Sequence, residues 1–192
     1  NTKSRPPQVS IEDFARAKEL AISLLQPLGI KMIVYVVLHE IAKRNNQEQV
    51  MSMAFNSLFA HFDMRFLDAH MSKGVVCIDR MSDQFAFKYL QDKHQAGVTF
   101  AGGREQQLER IMHYSMTTDG ASHISSLVDI SLGAFRYCVN LSNSPQKDEK
   151  LELANRMLRP LSKALWSSEK DGQRVITGFG YLPHPRGLIR VD

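Results

Sequence analysis

The 192-residue sequence has only two cysteines, one tryptophan and no long apolar run. The spacing of Cys77 and Cys138 matches no zinc motif, and so few cysteines indicate a reducing compartment, from which we predict a cytoplasmic protein. No apolar segment approaches the roughly 20 residues that cross a bilayer, and no signal peptide is recognisable, so we predict no membrane association. We expect both cysteines to be small apolar residues of the core.

Two familiar catalytic motifs are absent as well. Ser125 and Ser126 lie in a predicted helix, without the strand–turn–helix context of a serine nucleophile. Ala101-Gly102-Gly103-Arg104 lacks the glycine spacing and the Lys-Ser/Thr pair of a nucleotide-binding phosphate loop. What the chain does have is a small basic excess, with 24 Lys and Arg against 20 Asp and Glu. That excess permits a polyanionic partner such as nucleic acid without requiring one.

Helical and strand periodicities alternate along the chain. They predict helices over 10–29, 47–70, 82–95, 121–140 and 151–165, strands over 31–38, 73–79, 98–100, 113–116 and 174–181, and a short helix or turn over 105–111. This order favours an α/β fold with a mostly parallel sheet flanked by helices. We expect a linker or arm at 1–10, a core at 11–140, and a C-terminal helix-plus-strand extension at 141–192. Pro160 should kink or split the last helix.

The segment from Lys73 to Met81 organises these predictions. Its apolar residues Val75 to Ile78 follow a glycine and stop at Asp79. So short an apolar run predicts a central strand buried on both faces. Asp79 would then lie at the carboxyl end of that strand, where open α/β sheets place their sites. The alternative is an aspartate that caps the next helix or faces solvent.

A second acidic residue, Asp129, lies beside the apolar stripe of the predicted helix 121–140. An acid at the margin of a buried face is costly unless it is paired, hydrogen-bonded or bound to metal. A salt bridge to a nearby Arg or Lys is one explanation. If the helix packs over the Asp79 strand, the two carboxylates approach each other at one sheet edge. Mg²⁺ and Mn²⁺ prefer such oxygen ligands, and two ions of this kind catalyse in-line phosphodiester hydrolysis.

These two segments resemble a known family. Gly-Val-Val-Cys-Ile-Asp79-Arg80, followed about fifty residues later by Ile-Ser-Ser-Leu-Val-Asp129-Ile, resembles motifs of the domain-of-unknown-function 3800 family. The resemblance implies a ribonuclease-H-like fold of the retroviral-integrase superfamily, in which Asp79 and Asp129 ligate catalytic Mg²⁺ or Mn²⁺. It also implies a metal-dependent nuclease or phosphoryl-transfer enzyme acting on nucleic acid, with a role in defence against phage or mobile elements.

The family pattern begins with a strand carrying Asp-Glu-Ser-Gly, which has no counterpart in these 192 residues. Since the chain starts without methionine, we expect that strand upstream of Asn1. The glutamine that often stands three positions before the helix aspartate is Ser126 here. The remaining site candidates are basic: Lys73 and Arg80 flank the Asp79 strand and could hold phosphates, and His113 and His123 could act as bases or phosphate contacts.

A non-catalytic module with the same fold is the alternative function. Apolar residues go almost all the way round the predicted helix 47–70, which is typical of a helix covered on more than one side. A second copy of the chain or a partner protein could supply one of those covers. The sequence therefore leaves two functions open, a nuclease and an interaction or dimerisation module that docks through this helix.

Overall fold

The computed structural model describes residues 6–37, 43, 45–79, 83–100, 102–117, 122–142, 148–170, 173–176 and 179–182. The helices are α1 (Ile11–Ser23), α2 (Gln47–His61) with a π-helical segment (Phe62–Leu67) directly after it, α3 (Asp83–Gln95), α4 (His123–Ser142) and α5 (Asp148–Ala164). The strands are β1 (Val34–Val37), β2 (Gly74–Asp79), β3 (Val98–Thr99), β4 (Glu105–Gln106), β5 (Ile111–Thr117), β6 (Ser167–Lys170), β7 (Gln173–Ile176) and β8 (Phe179–Leu182). The chain is therefore a mixed α/β protein, as predicted.

The chain divides into two compact units. Among the described residues, the helical unit comprises 6–32, 122–142 and 148–165. The sheet unit comprises the described residues of 33–117 together with 166–170, 173–176 and 179–182. This grouping cuts the chain differently from the predicted boundaries at residues 10 and 140, because α1 belongs with α4 and α5, and the last strands belong with the sheets.

Three helices pack against one another in the helical unit. Ser10 begins α1 as predicted: its hydroxyl oxygen accepts a hydrogen bond from the Asp13 amide at 3.0 Å and satisfies one unpaired donor of the first turn. The buried face of the unit is mostly apolar; besides the polar Ser131 it includes Ile22, Leu25, Ala134, Phe135, Cys138, Leu141, Ala154, Met157, Leu161, Ala164 and Leu165. An ion pair between Glu19 and Arg156 joins α1 to α5 at the edge of that face.

The sheet unit is built on parallel and antiparallel strand pairs. β2 pairs with β5 and β1 with β8 in parallel, whereas β3 pairs with β4 and β6 with β7 antiparallel. The prediction of one continuous sheet with the Asp79 strand at its centre therefore differs from the structure, in which each described strand has one partner. Within the described ranges, no helix combines the length and apolar character that a membrane span requires.

α2 and the π-helical segment cover one face of the β2–β5 pair. Phe59, Leu67, Val76 and Ile111 are buried together in this core. At Gly74 the strand passes so close to the segment that a Cβ atom would lie 2.8 Å from the Phe62 ring, so only glycine permits this approach. The all-round apolar character of 47–70 is explained here, because most of its side chains are half-buried within the unit.

β2 is buried on one face, and the prediction that both faces are buried is wrong. Val76 points into the core, while Val75 is 63% exposed and Cys77 and Asp79 are also exposed. Successive side chains of a strand point to opposite faces. Their exposure alternates along β2 because helix covers only one face of the strand pair. Cys77 is therefore not a core residue. Cys138 is buried as expected, and burial raises the pKa of its thiol to about 11.

Three local predictions also need correction. The segment 105–111 contains the short strand β4 and the start of β5 instead of a helix. α5 continues past Pro160 as one helix, so the predicted split is absent, while the predicted kink stays a prediction; Leu161 and Ala164, which follow the proline, are fully buried. The predicted strand 174–181 is two strands, β7 and β8, which pair with different partners.

A buried carboxylate connects the π-helical segment to β5. Asp63 is 1% exposed, and its Oδ2 accepts hydrogen bonds from the backbone N–H groups of Arg110 at 2.7 Å and Ile111 at 3.1 Å. The Arg110 guanidinium lies 3.9 Å from the other oxygen of Asp63 and also pairs with the exposed Asp68. Asp63 thus accepts the amide of Ile111, the first residue of β5, and the amide of Arg110 just before it, and its charge is partly balanced, as a buried charge requires.

We expect Asp63→Ala to lower the free energy of unfolding by about 3–5 kcal/mol, because it leaves two buried N–H groups without an acceptor. Asp63→Asn keeps an acceptor oxygen of the same shape and should cost about 1–2 kcal/mol. Urea denaturation followed by circular dichroism measures both values. Asp68→Asn is the matched control. Asp68 forms an ion pair with the same arginine but is exposed, so this substitution should lower the free energy of unfolding by less than about 0.5 kcal/mol. Equal losses for Asp63→Ala and Asp68→Asn would contradict the role given to Asp63.

Candidate functional site

The carboxyl ends of β2 and β5 meet at one edge of the sheet unit. The two strands are parallel, and Asp79, the last residue of β2, is in register with Thr117, the last residue of β5. Asp79 is exposed there. In open α/β sheets, ligands bind beyond the carboxyl ends of parallel strands, where side chains and helix starts converge. The predicted location of Asp79 at a strand end is thus confirmed, although its strand has one covered face instead of two.

A cleft of about 650 Å³ runs along β5 toward the same edge. It is lined by residues of α3 and β5: Leu90, Gln91, His94, Met112, His113, Tyr114, Ser115 and Met116. Met116 is in register with Ile78, the residue before Asp79. The cleft therefore extends along β5 to Met116, one residue before the last residue of the strand.

Two hydroxyl groups of the cleft are not available for chemistry. The Tyr114 ring packs edge-on against Phe59 and His94, and its hydroxyl is buried with no hydrogen-bond partner among the described residues. Burial, and to a smaller extent the charge of Asp63, raise the pKa of Tyr114 to about 12. The Ser115 hydroxyl donates to the Val76 carbonyl at 3.3 Å. The exposed side chains of Gln91, His94 and His113 are thus the polar groups with which the cleft can contact a ligand.

The other predicted site residues lie elsewhere. Lys73 is exposed and immediately precedes β2, so it lies at the opposite end of the strand from Asp79, beyond the roughly 16 Å that separate Gly74 and Asp79. Arg80 lies outside the described residues. The structure therefore does not bring Lys73 to the edge where Asp79 is found.

Asp129 and His123 are both on α4, in the helical unit. Six residues separate them, which on an α-helix is about 9 Å along the axis and about 120° around it, so the two side chains point to different sides. Both residues are exposed. The expectation that Asp129 carries a desolvation cost at the margin of a buried face is therefore wrong, and its position gives no sign that it must be neutralised by a metal.

The described residues supply only part of a metal site. No group of three or more His, Cys, Asp or Glu side chains among them is placed to hold an ion. At the carboxyl end of β2–β5, Asp79 has a carboxylate and the neighbouring Thr117 a hydroxyl group. A complete Mg²⁺ or Mn²⁺ site requires more oxygen ligands than these.

The sequence analysis did not predict His94 and Gln91 as residues of the cleft. Both are polar residues of the predicted helix 82–95, and no motif distinguishes them from solvent-facing residues. Their role depends on α3 lying along β5, a contact between distant parts of the chain. His113 was a candidate by residue type, and the structure places it in the cleft.

Comparison with known proteins does not extend this picture: no family model, curated protein or solved structure matches the chain. The resemblance to the domain-of-unknown-function 3800 family remains a prediction from its motifs.

The buried hydroxyl of Tyr114 predicts a pH effect on stability. Tyrosine in the unfolded chain ionises near pH 10, whereas the folded protein keeps Tyr114 neutral up to about pH 12, so stability should fall as the pH rises from 10 to 12. Tyr114→Phe removes this contribution and also removes an unsatisfied buried oxygen. We therefore expect the variant to be at least as stable as the wild type at pH 7 and to lose less stability over that interval, as measured by urea denaturation at each pH. An unchanged slope would contradict the burial of this hydroxyl.

Proposed function

We propose that the chain is a metal-dependent nuclease or phosphoryl-transfer enzyme acting on nucleic acid, with its working site at the carboxyl end of β2–β5. The observation that carries this proposal is the exposed Asp79 at the end of a parallel strand pair, in register with Thr117. Asp79 is exposed at this point, whereas a core aspartate such as Asp63 is buried. The ribonuclease-H-like fold belongs to the same proposal, and so does a role in defence against phage or mobile elements.

The cleft beside β5 supports a nucleic-acid substrate. Its walls combine apolar side chains such as Leu90 and Met112 with the aromatic rings of His94 and Tyr114. Flat, partly polar surfaces of this kind suit bases of single-stranded nucleic acid, which stack on ring faces. A strand lying in the cleft would place a phosphate near Asp79, and the net charge of +4 favours a polyanion in general.

The proposed cofactor is Mg²⁺ or Mn²⁺, with Asp79 as a ligand. Asp129, on α4 of the helical unit, stays the second proposed ligand on the basis of the sequence alone. A bound ion of this kind would activate water and stabilise charge on the phosphate. Asp79 would position it, and His94 and His113 would hold the substrate against the strand edge.

We expect Asp79→Asn to weaken Mn²⁺ binding at least about tenfold and to abolish nuclease activity, because the substitution removes a charged oxygen ligand without changing side-chain shape. Isothermal titration calorimetry measures the first effect. Cleavage of labelled single-stranded DNA and RNA, with and without chelator, measures the second. If Asp129 is a ligand, Asp129→Asn should give the same two losses.

The matched control is Glu109→Gln. Glu109 is exposed and lies two residues before β5, at the opposite end of the strand pair, so both measurements should stay at wild-type values. His94→Ala should raise KM for the nucleic acid and leave Mn²⁺ affinity unchanged, because His94 belongs to the cleft and not to the proposed ion site. Equal residual cleavage in Asp79→Asn, Asp129→Asn and wild type would indicate a contaminating nuclease, and the proposal would fail.

A non-catalytic interaction module is the second candidate function. It is favoured by the large apolar side chains exposed on α1 and α4, which are Ile11, Leu20, Leu24, Ile124, Val128 and Leu132. Docking through the helix 47–70, as the sequence suggested, remains a prediction, but most side chains of α2 are half-buried inside the sheet unit. Loss of every metal-dependent activity in a protein that still binds a partner would favour this second function.

A further inference from the structure

α4 carries an apolar ridge that its own unit leaves exposed. Ile124, Val128 and Leu132 follow one another at intervals of four residues and are 68%, 55% and 53% exposed. Residues at this spacing form one continuous ridge on a helix surface, the kind that packs into the groove of a second helix. The buried face of α4, which includes Phe135 and Cys138, is already occupied by the other helices of the unit.

A groove lies beside this ridge on the same helix. Gly133, Arg136, Tyr137 and Asn140 line a shallow depression of about 520 Å³. A Cβ atom placed on Gly133 would meet nothing within 4 Å, so the glycine is not needed for packing inside the chain. A glycine in an exposed helix interior costs roughly 0.5–1 kcal/mol relative to alanine. At position 133 the glycine leaves space that a side chain of another molecule can occupy.

The acidic and the basic residue of α4 are placed symmetrically about one point of the helix, so that two antiparallel copies would bring opposite charges together. Asp129 and Arg136 are its acidic and basic residues, both are exposed, and neither forms an ion pair among the described residues. They lie at equal distances in sequence on either side of the midpoint between Leu132 and Gly133. The same midpoint relates Val128 to Tyr137, and Ser125 to Asn140.

We propose that α4 pairs antiparallel with α4 of a second copy of this chain, about a two-fold axis at Leu132–Gly133. Each Leu132 then lies over the Gly133 of the other copy, and each Asp129 faces the other copy's Arg136. The ridge of one copy fills the groove of the other, and the same surface is used twice, as in any two-fold dimer. Charge complementarity selects the second copy as the occupant, since the face carries one acid and one base in self-complementary positions.

The size of this interface sets its strength. One pair of 20-residue helices buries less than the roughly 800 Å² per partner of a standard interface. We therefore expect a reversible dimer with a dissociation constant on the order of 10 µM. The dimer does not depend on nuclease activity. It gives Asp129 a role that differs from the metal ligation proposed above, and the two roles are separable by experiment.

The dimer is tested by sedimentation velocity of the full chain at concentrations from about 1 to about 200 µM, a range that includes the expected dissociation constant. Asp129→Arg and Arg136→Asp should each raise the dissociation constant at least about tenfold, because each places like charges opposite one another twice. The double variant Asp129→Arg/Arg136→Asp restores the opposite charges and should return to the wild-type value. The double variant lacks the Asp129 carboxylate. If it dimerises but has no nuclease activity, both the dimer contact and the metal ligation of Asp129 are supported. If it dimerises and keeps full nuclease activity, only the metal ligation is overturned.

Two further variants locate the interface. Gly133→Leu has open space around it within one copy and improves helix propensity, so it should fold normally but remain monomeric. Leu24→Glu, at the exposed leucine that directly follows α1, is the control and should leave the dimer unchanged. The proposal is overturned if the wild type is monomeric at every concentration, if the double variant stays monomeric, or if Gly133→Leu dimerises like the wild type.

Discussion

The sheet unit depends on where one buried carboxylate places the start of β5. Asp63 accepts the backbone N–H groups of Arg110 and Ile111, and the Arg110 carbonyl in turn accepts the Gly74 N–H at 2.9 Å. The amino ends of β2 and β5 are thereby tied to the same point of the π-helical segment. Removing this carboxylate would leave buried donors without an acceptor, which costs more than the loss of a surface ion pair. The contact therefore holds the first residues of the two strands beside each other, in addition to stabilising the pair.

The register of the two strands determines what lies at their other end. The two strands run in the same direction, and a register shift between Gly74 and Val75, which leaves Met112 as an extra residue of β5, brings Asp79 beside Thr117. The helical cover lies on one face of the pair, so Asp79 is exposed while Val76 is buried. α3 lies along β5 and forms the cleft with it, which reaches to the same edge. The strand pair thus has a buried structural acid, Asp63, at one end and an exposed acid, Asp79, at the other.

Local features of the fold could be predicted from sequence, and non-local pairings could not. The Ser10 cap, the helix 47–70 and the strand ending at Asp79 are each specified by neighbouring residues, and all three are present. The pairing of Gly74 with Ile111 joins residues 37 positions apart (111 minus 74), and no local pattern encodes which strands meet. Periodicity alone also could not show that β2 is covered on one side, or that α1 packs with α4 and α5.

The same limit applies to the site residues. Asp79 was predictable because an apolar strand ended there, but the stripe on α4 suggested that Asp129 lies at a buried margin when it is exposed. Asp63, the acid on which the unit depends, lies within a helix and has no motif. Its importance follows from its burial and from the two amides it binds, which only the folded chain brings together.

Paramagnetic broadening by Mn²⁺ in the NMR spectrum of the full chain tests the central claim most directly, because the effect falls steeply with distance from the ion. If the strand pairing held by Asp63 creates a metal site at the carboxyl end of the strand pair, the amide signals of Asp79 and Thr117 should broaden together at the lowest Mn²⁺ concentrations. Gly74 and Ile111, roughly 16 Å away or more at the other end, should broaden much less. Broadening centred on Gly74 and Ile111, or a uniform weak effect over the whole spectrum, would contradict the account.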